Sequence, residues 1–354
     1  MKSISKHSLL SCLLLVCSFA PFAIAARQPE PESWDRVEAM AAVRSVNTGM
    51  AVYELGDDAA LANGAATVSR LIELETRDDW PLPAREAAIY RFARSLADLP
   101  RDAVATVVMQ HLQNYQSRTL VPHEDHPDTL IPLFNIRGAA TGVEHGWQRI
   151  EFADEAATLI KANPVALVSA FTQSAKHNLR SGYLDALRAA EMSDVLAVQD
   201  IALRSLADTP SLTGMIAVTA GITADKFAIQ QLLIDGRGAG LPAALKQLDD
   251  HLHLAEKASL LEFAVQQAPA QNAALAIAAW WPRLKHNPAT RDLLIDTLAD
   301  PKLGSSAALA LAQAPDIQTI SDLQRTANGD SRAAKRAQMA LDIGRDLVIG
   351  GNRP

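Results

Sequence analysis

Apolar residues along this chain recur at three- and four-residue intervals instead of alternating, and the recurrence is broken at short, regular distances. The stretch Leu293–Ala314 (LLIDTLADPKLGSSAALALAQA) shows this most clearly. Leu294, Ile295 and Leu298 share one face of a helix. Asp300 and Pro301 end it, because proline lacks a backbone donor and disfavours helix in the residue before it. Gly304 then punctuates, and Ser305 or Ser306 is expected to cap a second helix over Ala307–Ala312. Two such short helices cannot bury their apolar faces alone and require neighbours of the same kind.

The same spacing predicts helices over Trp34–Val46, Ala59–Glu75, Ala84–Ala97, Asp102–Tyr115, Leu133–Glu144 and Gln148–Ala162, with Arg77–Pro83 as a turn. The junction recurs: Arg94-Ser-Leu-Ala-Asp-Leu-Pro100 is matched by Arg204-Ser-Leu-Ala-Asp-Thr-Pro210 and, shortened, by Thr297-Leu-Ala-Asp-Pro301. A second self-match, at an offset of 34, aligns Ala273–Ala278 with Ala307–Ala312, and Arg332–Leu341 reads as a more polar last copy.

These Leu-x-Asp-Pro turns and Ala/Leu second helices resemble the HEAT-repeat family in its short bacterial form, most clearly over the last hundred or so residues. The resemblance implies an all-α fold, an α-solenoid of stacked antiparallel helix pairs, over residues 33–347, and a stacking mode without an activity. The Trp, Gly, Tyr and Pro pattern of tetratricopeptide repeats is not found at regular offsets, and no run of alternating β-branched residues suggests a sheet.

One segment interrupts the array. Residues 117–131 (SRTLVPHEDHPDTLI), with Pro122, Pro127 and Pro132, are expected to be an irregular loop, and long loops in compact arrays often carry function. Its His123-Glu124-Asp125-His126 cluster, followed by Asp128, is the most reactive-looking group in the chain. These five residues, with Trp147, are the candidate partner contacts. Imidazole and carboxylate ligands also suit zinc or manganese, so His123, Asp125, His126 and His145 form the alternative metal set of a metal-dependent hydrolase or lyase. The spacing is one residue short of the zincin motif.

Other suggestive groups have plainer readings. His251 and His253 diverge on a helix and read as helix-start residues. Gly236–Gly240 lacks a strand–helix context and reads as a turn between helices. Asp57-Asp58, Asp78-Asp79 and Asp249-Asp250 read as caps and dipole partners. Trp280 and Trp281 read as aromatics closing the core at a helix end. There is no G-x-S-x-G nucleophile elbow. No catalytic residue or cofactor is expected.

Composition narrows the class further. The 354 residues are 49% hydrophobic and 21% charged, which suits a folded chain with a sizeable core. Lys2 and Lys6, the apolar Leu9–Ala20 and the small-residue site Ala23-Ile-Ala25 predict a signal peptide over 1–25, since the apolar run is shorter than the roughly 18–20 residues that span a bilayer. Residues 26–32 read as a linker and 348–354 as a flexible tail. Both cysteines, Cys12 and Cys17, lie in the leader, so the exported chain would hold no disulfide and no thiol site. Losing the two leader lysines takes the formal charge from −7 to −9, which argues against nucleic acid as a partner. The expectation is a periplasmic or otherwise exported, non-enzymatic scaffold without stable membrane insertion, binding a protein or peptide.

Overall fold

Asparagine and aspartate set the starts of many of the helices. Asn163 accepts the Ala166 N–H (3.0 Å), Asp225 the Phe227 N–H (2.9 Å), Asn287 the Thr290 N–H (3.1 Å) and Asp316 the Thr319 N–H (2.7 Å). Each satisfies a donor that the first helical turn leaves open. Prolines 164 and 288 follow two of these caps at the position where a missing N–H costs nothing. The computed structural model describes residues 30–238, 240–313 and 316–350, and they form 18 α-helices and three short strands. The signal peptide expected over residues 1–25, and residues 26–29 of the expected linker, lie outside the described residues. Among the described residues no helix is long and apolar enough to cross a membrane.

The chain divides into two compact units, one comprising residues up to Leu96 with Ala103–Ala140, the other Ala97–Asp102 with Thr141 onward. The first holds β1 (Glu32–Ser33), α1 (Arg36–Arg44), α2 (Gly49–Ala60), α3 (Gly64–Thr76), α4 (Leu82–Ser95), α5 (Thr106–Gln113), β2 (Thr119–Pro122) and β3 (Leu130–Pro132). Helix α4 is its centre: α1, α2, α3 and β2 all pack on it, and Ala84, Ala87, Ala88, Ile89, Phe92 and Ala93 are buried. Helix α6 (Ile136–Ala162) crosses the division at residue 140.

In the second unit α7 (Pro164–Gln173), α9 (Met192–Ser205), α11 (Lys226–Asp235), α13 (Leu254–Gln267), α15 (Pro288–Thr297) and α17 (Ile317–Thr326) pack each on the next. So do α8 (His177–Ala189), α10 (Thr213–Thr223), α12 (Gly240–Asp249), α14 (Ala270–Leu284), α16 (Gly304–Gln313) and α18 (Arg332–Gly350). Polar ties join positions 34 to 39 residues apart, close to the offset of the sequence self-match. Asn272 donates to Leu233 O and Gly236 O, Trp280 to Leu245 O, Arg283 to Asp249, and Arg336 to Leu298 O. Trp280 and Trp281 are buried, as a core-closing role requires.

Several local expectations change. The stretch Ala59–Glu75 is two helices, because Ala62 takes a left-handed φ of 53° and Asn63 restarts the chain as the α3 cap. Leu133–Glu144 and Gln148–Ala162 fuse into the single α6; its Gly142 and Gly146 cost only about 1 kcal/mol each against alanine, too little to end it. Residues 117–131 contain strands, not only loop. In the Leu293–Ala314 stretch the cap is Asp300, whose Oδ1 accepts the Lys302 and Leu303 N–H groups (both 2.7 Å), and α16 starts at Gly304 itself. Those two bonds hold the Asp300 carboxyl below its ordinary range. A Cβ at Gly304 would stand 2.6 Å from Leu298 O and strike the Arg336 guanidinium, so the turn needs glycine for closeness. The acid pairs close helices less than they receive cations: Asp58 takes Arg70, and Asp249, at a C-terminus where a negative charge is unfavourable, takes Lys257 and Arg283. The helix runs on to Gly350 where a tail from 348 was expected; residues 351–354 lie outside the described residues.

Burial pushes the Tyr183 phenol up to about 12, and its hydrogen bond to Glu155 (3.1 Å) adds to the rise. The folded chain therefore keeps that proton after the unfolded chain loses it, near pH 10. The Tyr183 contribution to stability is expected to be constant below about pH 10 and to be lost as pH rises from there towards about 12. Urea unfolding across this range checks it: Tyr183→Phe gives a shallower decline, and an unchanged slope contradicts the assignment.

Candidate functional site

The segment around the His/Asp cluster is a β-hairpin. Strands β2 and β3 pair antiparallel, with Leu120 opposite Pro132, Val121 opposite Ile131 and Pro122 opposite Leu130. Thr119 and Val121 point inward and are buried, while Pro122 is exposed, the alternation a strand gives. Strand β1 lies parallel on the other edge of β2, with Glu32 N–H donating to Arg118 O and Trp34 N–H to Leu120 O, both 2.8 Å. At the far end His123 N–H donates to Thr129 O (2.9 Å) and Thr129 N–H to His126 O (2.8 Å), closing the tip.

The base of the hairpin is fixed by Glu86 of α4, which has no exposed surface. Its Oε1 accepts the Arg118 N–H (2.6 Å) and the Tyr115 O–H (3.3 Å), and its Oε2 accepts the Thr119 N–H (3.0 Å). A buried carboxylate is tolerable only with donors of this kind around it. Burial first, then the nearby Glu86 charge, pushes the Tyr115 phenol far above its ordinary value, so it stays a donor. This role of Glu86 was not readable from the Ala84–Ala97 pattern, where it looks like one more polar helix position.

The tip carries the predicted residues outward. Glu124, Asp125, His126 and Asp128 are exposed and His123 is half-buried. His123 and His126 stack with ring centroids 5.4 Å apart, and Asp125 N–H donates to His123 Nδ1 (3.1 Å). Glu124 pairs with Arg36 of α1 at 3.0 Å, a contact still 76% exposed on the carboxylate side and therefore weak. Among the described residues no group of three or more histidine, cysteine, aspartate or glutamate side chains is placed to hold a metal ion. His145 belongs to the second unit. Trp147 is not a surface contact. It is 4% exposed, and its indole N–H donates to Leu99 O (2.9 Å), which holds the Asp98-Leu99-Pro100 junction against α6.

The first unit also has a cleft of about 550 Å³ that the sequence reading passed over. Val107, Gln110 and His111 line it from α5, with Asn114 at that helix's C-terminal cap, and Val68, Glu75 and Thr76 from α3, with Arg118 at the foot of the hairpin. His111 Nε2 lies 2.7 Å from Glu75 Oε1, an imidazole–carboxylate pair three-quarters withdrawn from water. The three- and four-residue spacing of the α5 positions was its signal, a polar face on a helix otherwise apolar. Amide side chains beside small apolar ones suit hydrogen bonding to an extended backbone.

Removing the Glu86 carboxylate leaves three donors without their acceptor, at about 1–3 kcal/mol each where water cannot enter. Glu86→Ala is therefore expected to destabilise the chain by at least about 3 kcal/mol in urea unfolding, against less than about 1 kcal/mol for Glu124→Ala. Equal effects of the two substitutions would contradict the anchoring role. Comparison with protein-family models, with curated proteins and with solved structures finds no match to this chain.

Proposed function

We propose that this chain is an exported α-solenoid of HEAT-like helix pairs, a non-enzymatic scaffold of the cell envelope that binds a protein or peptide partner through the hairpin tip. The observation that carries the reading is the anchored display: a buried carboxylate, costly to hold in a protein interior, fixes the base of a hairpin whose tip adds nothing to the core. Asp125, Asp128 and Glu124 make that tip acidic, so the favoured partner surface is basic.

Two further features support the scaffold. The one-repeat spacing of the polar ties suits helix pairs stacked so that each touches mainly its neighbours. Short connections make successive helices antiparallel, which would place the starts of α7, α9, α11, α13 and α17 along one edge. Each of those helices has an exposed apolar side chain as its first or second residue: Val165, Met192, Phe227, Leu254 and Ile317. Single exposed apolar residues are ordinary, but their recurrence on successive repeats suits an extended docking edge.

The test is cross-linking in cells followed by capture of the processed protein, beside a variant with His123, Glu124, Asp125 and His126 all changed to alanine. One stoichiometric partner is expected with the native protein, reduced about tenfold or more in the variant, with neither protein carrying metal. Undiminished capture by the variant refutes the role of the tip. Near-stoichiometric zinc or manganese in the native protein alone would instead favour a metal-dependent hydrolase or lyase.

A further inference from the structure

In the second unit, α6 and the start of α8 line an open concavity of about 480 Å³ whose charged side chains are exposed. Four of its lining side chains bear or can acquire positive charge: His145 and Arg149 from α6, and Lys176 and His177 where α8 begins. Among the described residues no carboxylate lines it, in a chain whose formal charge is −7. Its open side owes its room to Gly142 and Gly146, where an added Cβ would meet nothing within 4 Å. The opposite holds one turn into α8. A Cβ at Gly182 would lie 2.9 Å from the Phe152 side chain and press on Arg149 O, so the two helices are drawn close there and the concavity is shaped by backbone.

The charges around it are arranged for a guest anion. Arg149 is held by Asp185 through Nε (2.5 Å) and Nη2 (2.8 Å), while Arg188 also binds Asp185, so two guanidinium groups share one carboxylate. The Arg149 hydrogen bond keeps the Asp185 carboxyl below its ordinary range. Glu144, next to His145 in the chain, is taken by Arg101 and by Gln148. His145 and the Lys176 ammonium have no carboxylate partner among the described residues, and His177 has Ser181 Oγ at 3.5 Å from Nε2. Arg149 has its counter-ion in Asp185, whereas an anion bound beside His145, Lys176 and His177 would supply the counter-charge that these three do not have.

We propose that the α6–α8 concavity binds the phosphate group of a small anionic ligand. A tetrahedral dianion offers acceptors in several directions to the cationic side chains that line the concavity, and the volume leaves space for an organic portion of metabolite size. Histidine gains charge below neutrality, so affinity for a given dianion rises as pH falls. The groups that set this dependence are His145 and His177, with Arg149, Lys176, Glu144 and Asp185 as the fixed charges around them.

Sulfate is the first probe, because it remains a dianion while histidine titrates. It is titrated calorimetrically into the full chain at about pH 5.5 and about pH 8. Saturable binding with Kd in the millimolar range is expected at the lower pH, and about tenfold weaker binding at the higher. Lys176→Ala is expected to lose about tenfold at either pH. The double variant His145→Gln with His177→Gln is expected to lose the pH dependence while its circular dichroism is unchanged. Lys246→Ala, an exposed lysine of α12, is expected to bind as the native protein does. Inorganic phosphate and glycerol phosphate, compared at one pH, separate the two sources: tighter binding of the ester supports an organic phosphate, and equal binding supports free phosphate. No saturation by about 50 mM sulfate, or equal weakening by Lys246→Ala, overturns the proposal.

Discussion

A carboxylate that leaves water must find donors, and Glu86 finds three where the chain passes from α5 into β2. Much of the first unit follows from that requirement. The Arg118 and Thr119 N–H groups are bound by Glu86 of α4, while Arg118 O and Leu120 O accept from Glu32 and Trp34 and Thr119 O accepts the Leu133 N–H, in the strand order β1-β2-β3. Val121 then falls on the buried side of the pleat, and the residues beyond Pro122 are carried away from the core. The tip is free to be charged because nothing inside depends on it.

The second unit rests on a different constraint. Its helices are short, and a ten-residue helix such as α7, α11 or α15 is marginal alone in water. Each is held by burying one face against neighbouring helices, with side chains such as Asn272, Trp280 and Arg336 reaching back 35 to 38 residues to bind backbone carbonyls. The Gly236 and Leu298 carbonyls lie just past the last residues of α11 and α15, where no N–H of their own helix reaches them, so Asn272 and Arg336 supply the partners.

What the sequence showed depended on whether the cause was local. The turn at Asp300-Pro301 and the helices on either side are dictated by proline chemistry and a 3.6-residue period, and both were legible. The capping atom was not: Asp300 and Ser305 are both good caps, and only the reach of Arg336 over Gly304 settles where α16 begins. The break at Ala62-Asn63 was masked by alanine on both sides, which favours helix without marking its end. The hairpin was hidden because its strands are only three or four residues long and end in prolines. The candidate residues His123–His126 and Asp128 were legible as a cluster, and their exposure came from the prolines around them. Trp147 misled because an aromatic that anchors a partner and one that anchors its own chain look alike in sequence; its bond to Leu99 O decides for the latter. Glu75 and His111, 36 residues apart, could be paired only by the packing of α3 on α5.

Glu86 holds the base of the hairpin and leaves its tip exposed. Hydrogen exchange of the backbone amides tests it most directly. The Arg118 and Thr119 amides are expected to exchange nearly as slowly as those in the middle of α4, while the Glu124 and Asp128 amides exchange at rates close to an unstructured chain. Arg118 and Thr119 amides exchanging as fast as the tip would show that Glu86 does not hold the hairpin, and would contradict the account.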